Sequence, residues 1–421
     1  MRRGSCTLLA CALGLIAGAQ DLVTTRARAW LDTLTSPQFH GRGYVSDGDL
    51  IASEWIAGKF RQFGLKPVKQ DFFEPFQFNV NCFPDSVLAR IDGLSLVPGA
   101  EFILDPESGS ASGEYVLVHV HPADFQGPER RSMTMGVLTG KAACVHWPST
   151  TNADSTRMFK QWERELMDHC PVVKPVKKLT WGVATDARVH PLVEVVEGAV
   201  TDSSSRISLR VRNELRSRRT ARNVLGMVKG KSKKWMVIGA HYDHLGRMGP
   251  DALFPGANDN ASGTAMLLSL AEHFARKGNA PRHNLLFVAF AGEEAGLIGS
   301  EWCAVDRPIE WNRVTMMVNL DILGTGDDGI TVVNATAQPK AFDQLVAING
   351  SKGYLKQVKP RGPACNSDHC PFVQRGVPAI YIYTLGGVAH YHDVHDRAET
   401  LPLTEFGDLH ALLRDFIQGW K

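Results

Sequence analysis

Four near-continuous apolar runs constrain this chain most: Trp235–Ile238, Leu285–Ala291 (LLFVAFA), Val314–Leu320 and Ala379–Tyr383. A strand with one wet face alternates apolar and polar residues. A strand apolar at nearly every position is buried on both faces, as in a largely parallel sheet flanked by helices. Between the first two runs, Asn258 to Gly263 (NDNASG) precedes an apolar-periodic segment, Thr264 to Lys277, read as a helix capped near Asn260 or Ser262. The strand–helix alternation from Asn223 onward predicts an α/β fold: an open, mostly parallel twisted sheet with helices on both faces. Such sheets bind ligands beyond the carboxyl ends of their strands.

An acid or a histidine follows each run. His241 and Asp243 follow the first, Glu293 and Glu294 the second, Asp321 the third, and His390 and His392 the fourth. Asp259 stands at the start of the helix. Each piece alone is weak, because His-x-Asp and Glu-Glu are common and adjacent glutamates usually lie on a solvated helix face. Here the pair follows a buried-strand pattern and Gly292, which argues against that. Imidazole and carboxylate without thiolate suit zinc, with manganese or cobalt as alternatives. Two histidines and three carboxylates suffice for two metals if one carboxylate bridges. Asp243, two residues from His241, suits a carboxylate that orients the imidazole.

The chain has 421 residues, enough for two domains or three small ones. Hydrophobic content of 44% and charged content of 21% are those of a globular protein. A net charge of +2 excludes a strongly basic nucleic-acid or membrane surface. Residues 1–19 read as an export leader: Arg2 and Arg3, an apolar Leu8 to Ile16, and small Ala17-Gly18-Ala19 before a mature start near Gln20. The expected location is periplasmic or secreted. A lipid anchor at Cys11 ranks second, and nothing after the leader reads as transmembrane.

Residues 20–73 read as two helices, Ala27 to Leu34 and Asp49 to Phe63, around a loop holding His40 and Arg42, both taken as structural. Residues 74–217 have short apolar runs between Gly, Pro, Asp and Ser, the texture of an inserted β-rich second domain. One helix, Ser155 to Met167, interrupts it. Its His119, His121, His146, His169 and His190 show no ligand-like spacing to acids and are read as ordinary surface or core residues. Arg216, Arg218, Arg219 and Arg222 mark its exit and read as a solvated surface. Residues 218–421 form the metal-bearing segment. Beyond the leader six cysteines remain, too few for a disulfide scaffold; only Cys365 and Cys370 are close, and export predicts a bond between them.

The motifs GAHYDHLG, GANDNASGTAMLL, FVAFAGEEAGLIGS, VNLDILG and YHDVHDRAETL resemble those of the co-catalytic zinc aminopeptidase family. That family includes bacterial leucyl-type aminopeptidases and, more distantly, glutamate carboxypeptidases and glutaminyl cyclases. The resemblance covers Asn223 to Lys421 closely and Gln20 to Lys66 less so. It implies an open α/β sheet and two zinc ions. His241 and Asp321 resemble the terminal ligands of one zinc, Glu294 and His392 those of the other, and Asp259 the bridging carboxylate. Glu293 resembles the general base facing a metal-bridging water, and Asp243 the residue that orients His241. His390, crowded with His392 and His395, is left near substrate or behind the ligands, and Asp368 and His369 line the cleft or pack a loop. EYVLVHV and LTGKAACVHW look like strands of a protease-associated domain, which would serve substrate access or interaction.

The resemblance implies removal of N-terminal residues from peptide substrates. A glutaminyl cyclase uses one zinc, and retention of all five ligand positions argues against it. A carboxypeptidase or dipeptidase needs basic residues for a substrate carboxylate. A non-catalytic relative would have lost ligands or the base. With every ligand position in the later segment, the inserted block is expected to be dispensable for building the metal site.

Overall fold

The computed structural model describes residues 22–421. The expected leader, the mature start near Gln20 and Cys11 lie outside the described residues. Two eight-stranded sheets organise the rest. Across the first, the strands run Phe73–Cys82, Glu214–Val228, Asn284–Phe290, Trp235–His241, Val314–Leu320, Ala379–Thr384, Ile330–Val333 and Val358–Pro360. The central four, from Asn284–Phe290 to Ala379–Thr384, are mutually parallel. Antiparallel pairings join Phe73–Cys82, Glu214–Val228 and Ile330–Val333 to their inward neighbours.

The apolar runs are buried on both faces by alternation. Met236, Ile238 and Ala240 enter one core while Val237 enters the other. Leu285, Phe287 and Ala289 likewise oppose Leu286, Val288 and Phe290. The first core also takes residues of the helix over residues 22–34 and of helices Gly48–Phe63, Gly263–Ala275 and Phe406–Gly419. The second takes Cys303, Ala304 and Phe372 from helices Ile298–Asp306 and Cys370–Gln374. Each run thus sits between helical layers, the burial its composition demands.

The second sheet lies between residues 88 and 211, and its middle strands include Ala111–Val120, Ala142–Val145 and Val172–Val176. Helix Ala153–Met167 matches expectation, whereas Pro128–Leu138 is a helix where strands and turns were expected. Phe73–Cys82 and Glu214–Val228, which texture groups with residues 74–217, pair with each other in the first sheet. The arginine run is not a plain solvated surface. Arg219 bonds buried Asp49 at 2.5 Å and stands over Tyr44, and Arg222 caps the Phe73 ring at 4.0 Å. The Cys365–Cys370 disulfide is present, and no described helix is long and apolar enough to cross a membrane.

Candidate metal centre

The ends of the parallel strands bring the sequence-derived residues together. Strand Trp235–His241 ends on His241, and its neighbours deliver Glu293 and Glu294 from one side and Asp321 from the other. Asp259 lies in the turn ahead of helix Gly263–Ala275. His241 Nε2 stands 3.3 Å from both Asp259 Oδ1 and Asp321 Oδ1. His392 Nε2 stands 3.1 Å from Asp259 Oδ2 and 3.2 Å from Glu294 Oε2. The two oxygens of Asp259 therefore face two separate histidines. Glu293 shares a 4.8 Å cluster with His241 and Asp321.

Whether these residues suit metal ions is decided by the far nitrogens of the imidazoles. His392 Nδ1 faces the carbonyl oxygen of Trp181 at 2.9 Å, and His241 Nδ1 faces that of Asp243 at 3.2 Å. A carbonyl only accepts, so each Nδ1 carries a proton and each Nε2 is the atom turned to the carboxylates, which are acceptors. Against the cost of burial, the surrounding carboxylates push His241 well above its ordinary value and His392 up to about 11. The positive charge they favour on each Nε2 is one a metal ion could supply in place of a proton, and the donor set of imidazole and carboxylate suits zinc. Charge agrees. Buried Asp243, Asp259, Asp321, Asp368 and Asp396 crowd the site with the two glutamates, against one buried arginine, Arg42.

Buried acids respond according to their partners. Burial pushes Glu293 well up, reinforced by Asp368, Glu294 and Asp321 and opposed by His241. Burial also pushes Glu294 up, but His392 and a His244 hydrogen bond outweigh it and hold it at about 2. Burial raises Asp243 to about 6 and Asp368 to about 7.

Asp243 acts differently from the expectation. Its carbonyl is the nearer partner of His241 Nδ1, while its carboxylate Oδ1 is 3.9 Å from that atom. The carboxylate instead accepts the Tyr44 hydroxyl at 2.9 Å and the backbone N–H groups of Glu293 and Glu294 at 3.2 and 3.4 Å. It thereby fixes the strand end that carries both glutamates.

Two supporting residues, His244 and Ser367, escaped the sequence reading. His244 Nδ1 lies 2.7 Å from Glu294 Oε1, leaving Oε2 toward His392. Its place in GAHYDHLG was the only signal. Ser367 donates to Asp321 Oδ2 at 2.8 Å and takes a hydrogen bond from Asn319. Asp396, four residues after His392, accepts from the N–H groups of Asn258 and Asp259 and so holds the turn that carries Asp259. Arg42 is structural, as expected: it donates to the carbonyls of Leu34, Tyr242, Pro255 and Gly256.

Trp181 comes from the block of the second sheet, yet its backbone brackets His392. Its N–H donates to the His392 carbonyl at 3.0 Å, and its carbonyl takes the imidazole. Leu245, Met248, Phe254 and Val394 also share a core with that sheet. His392 thus has contacts with this block that the expectation of a dispensable insert did not include. His395 is exposed, His390 is half-buried with its Nδ1 3.6 Å from Asp393, and His369 bonds the Ala364 carbonyl in loop packing.

Residues 223–417 match the model of peptidase family M28. A probable leucine aminopeptidase of Arthroderma otae is 30% identical over 166 residues, covering 38% of this chain and 46% of that protein. A probable zinc metalloprotease of Pyrenophora teres f. teres is 35% identical over 232 residues, covering 45% of this chain and 47% of its own. This chain thus spans about half the length of these relatives. Among solved structures, a zinc aminopeptidase from Bacillus subtilis aligns over 94% of this chain and 95% of its own, with 19% identity and a TM-score of 0.67. A peptidase M28 precursor from Shewanella amazonensis aligns over 96% of each chain, with 18% identity and a TM-score of 0.70. At such identities these two share the fold.

Proposed function

We propose that this chain, which belongs to peptidase family M28 through residues 223–417, is a zinc-dependent aminopeptidase that removes residues from the amino ends of peptides. One observation carries the reading: the carboxylate of Asp259 stands between Nε2 of His241 and Nε2 of His392, with Asp321 beside the first and Glu294 beside the second. That arrangement supports two zinc positions sharing Asp259. Zinc held there would polarise the scissile carbonyl and make water a nucleophile at neutral pH.

The chain's own residues do the rest. Glu293 is the general base. It takes the proton of the attacking water and returns it to the leaving amine, so that neither charged product forms unaided. Its neighbour Glu294 is committed to His244 and His392 and holds metal. Asp243 keeps the two glutamates in register through their N–H groups. The carbonyls of Asp243 and Trp181 hold the imidazoles in the ligating tautomer.

Specificity for a free amino end over a free carboxyl end is supported by Arg42. It is the buried cation nearest the acids, and its guanidinium is spent on backbone carbonyls rather than offered to a substrate carboxylate. We read the block of the second sheet as a protease-associated-like insert that shapes access. A cavity of about 440 Å³ opens between it and Ala295, the residue after Glu294. The leader reading makes the protein an exported one.

The test uses zinc-loaded protein with aminoacyl-anilides and peptides, each free and N-acetylated. Hydrolysis of the free forms alone is expected. Equal hydrolysis of acetylated peptides, or release of the carboxyl-terminal residue, would overturn the aminopeptidase reading.

A further inference from the structure

The second sheet carries a cluster that the peptidase chemistry does not use. Strands Ala111–Val120 and Ala142–Val145 are parallel neighbours, with His119 directly opposite Cys144. Residues two apart on a strand share a face, so the ends of these strands present His119 and His121 beside Cys144 and His146. His119 Nδ1 lies 2.8 Å from His146 Nε2. Ligand atoms of His119, Cys144 and His146 all fall within 4.8 Å of one another. The His121 ring stacks on His146 at 4.9 Å and is exposed, so it stands at the open side of the group.

We propose that His119, Cys144 and His146 form a second metal site, separate from the peptidase centre, that takes a thiophilic cation of the Zn²⁺ or Cu⁺ kind. The tautomer of His119 is already that of a ligand. Its Nε2 faces the Ser204 carbonyl at 2.9 Å, which only accepts, so Nε2 holds the proton and Nδ1 offers a lone pair toward His146 and Cys144. An imidazole tethered through its far nitrogen to a carbonyl is the usual support of a metal-binding histidine. Burial and the neighbouring imidazoles His119 and His121 hold His146 below its ordinary value, so it is neutral and available at pH 7. One thiolate with two or three imidazoles selects zinc or monovalent copper over magnesium or calcium.

Loading is balanced by one proton. Burial pushes the Cys144 thiol up to about 12, so it is a thiol until a cation displaces its proton to solvent. His146 stays neutral and moves its proton from Nε2 to Nδ1. His121 or water supplies the fourth ligand on the open side.

Thiolate ligation separates this site from the peptidase centre, whose proposed ligands contain no sulfur. Co²⁺ titrated into full-length protein stripped of metal by a chelator should give a thiolate-to-cobalt charge-transfer band whose final intensity corresponds to one thiolate site per chain. Cys144→Ser should abolish the band, and His119→Ala and His146→Gln should each weaken cobalt binding at least tenfold. Asp259→Asn should leave the band intact. Zn²⁺ and Cu⁺ added in separate arms should each bleach it, and the one effective at lower concentration is the preferred cation. Circular dichroism of His146→Gln, a half-buried position, checks that loss of the band is not loss of fold. Absence of the band in the parent protein, or its persistence in Cys144→Ser, would overturn the proposal whatever the peptidase assay shows.

Discussion

Glu293 and Glu294 are chain neighbours at one strand end, yet their surroundings give them opposite characters. Glu293 is crowded by Asp368, Glu294 and Asp321, whereas Glu294 is bonded by His244 and faces His392. Glu293→Gln keeps the shape but cannot take a proton. The expected result is retained zinc and a kcat lowered by about 10²–10⁴-fold, the usual worth of general acid–base catalysis. Glu294→Gln should instead lower zinc content. Metal analysis beside steady-state kinetics checks both, and loss of metal from Glu293→Gln with retention in Glu294→Gln would exchange the two roles. The sequence identified the pair because a buried-strand pattern precedes it. It could not assign Asp243 fully, because the split between its carbonyl and its carboxylate is a matter of backbone direction.

Between elements, the second sheet and the metal centre are joined through Trp181, which lies 211 positions from the histidine it holds. No local pattern reveals such a contact, so the sequence reading made the block dispensable. Phe73–Cys82 and Glu214–Val228 pair with Cys82 opposite Glu214, so excising residues 83–213 would close a hairpin on a short turn. The shortened protein should bind zinc more weakly than the full chain, since His392 loses the acceptor of its Nδ1 proton. It should also unfold at lower denaturant, since Leu245, Met248, Phe254 and Val394 lose their shared core. Equilibrium dialysis against zinc and a urea titration read the two effects. Unchanged zinc affinity in a folded variant would contradict the positioning role of Trp181. The same distance problem hid Tyr44, which reaches Asp243 across 199 positions.

For the molecule as a whole, a net charge of only +2 leaves the pH dependence of stability to buried groups. Far from the metal centre, burial and then His273 and Arg414 hold His410 down at about 3. A histidine depressed in the fold is neutral there and charges first in the unfolded chain. Its contribution is therefore intact above about pH 6.5 and is lost as pH falls from there toward 3. His410 contributes about 1.4 kcal/mol per pH unit to the slope in that range, beside the neighbouring His273, which is held down at about 4 by burial and then Arg414 and Arg276. His410→Leu should lower the total slope, as denaturant unfolding at pH 7, 6 and 5 would record. At this scale the parallel strands and the acids and histidines gathered near their ends were legible, because two-sided burial leaves no room for polar alternation. The flank Phe73–Cys82 was grouped with the other block although it alternates, because alternation does not say which sheet a strand joins, and helix Pro128–Leu138 was missed because it lies mostly on an exposed surface. The central claim is that Asp259 joins two metal positions. It is tested most directly by counting zinc in Cys144→Ser protein with and without Asp259→Asn. Two zinc ions per chain are expected, both weakened by the substitution. A single tightly bound zinc in a fully active sample, or undiminished zinc in the Asp259→Asn form, would contradict the account.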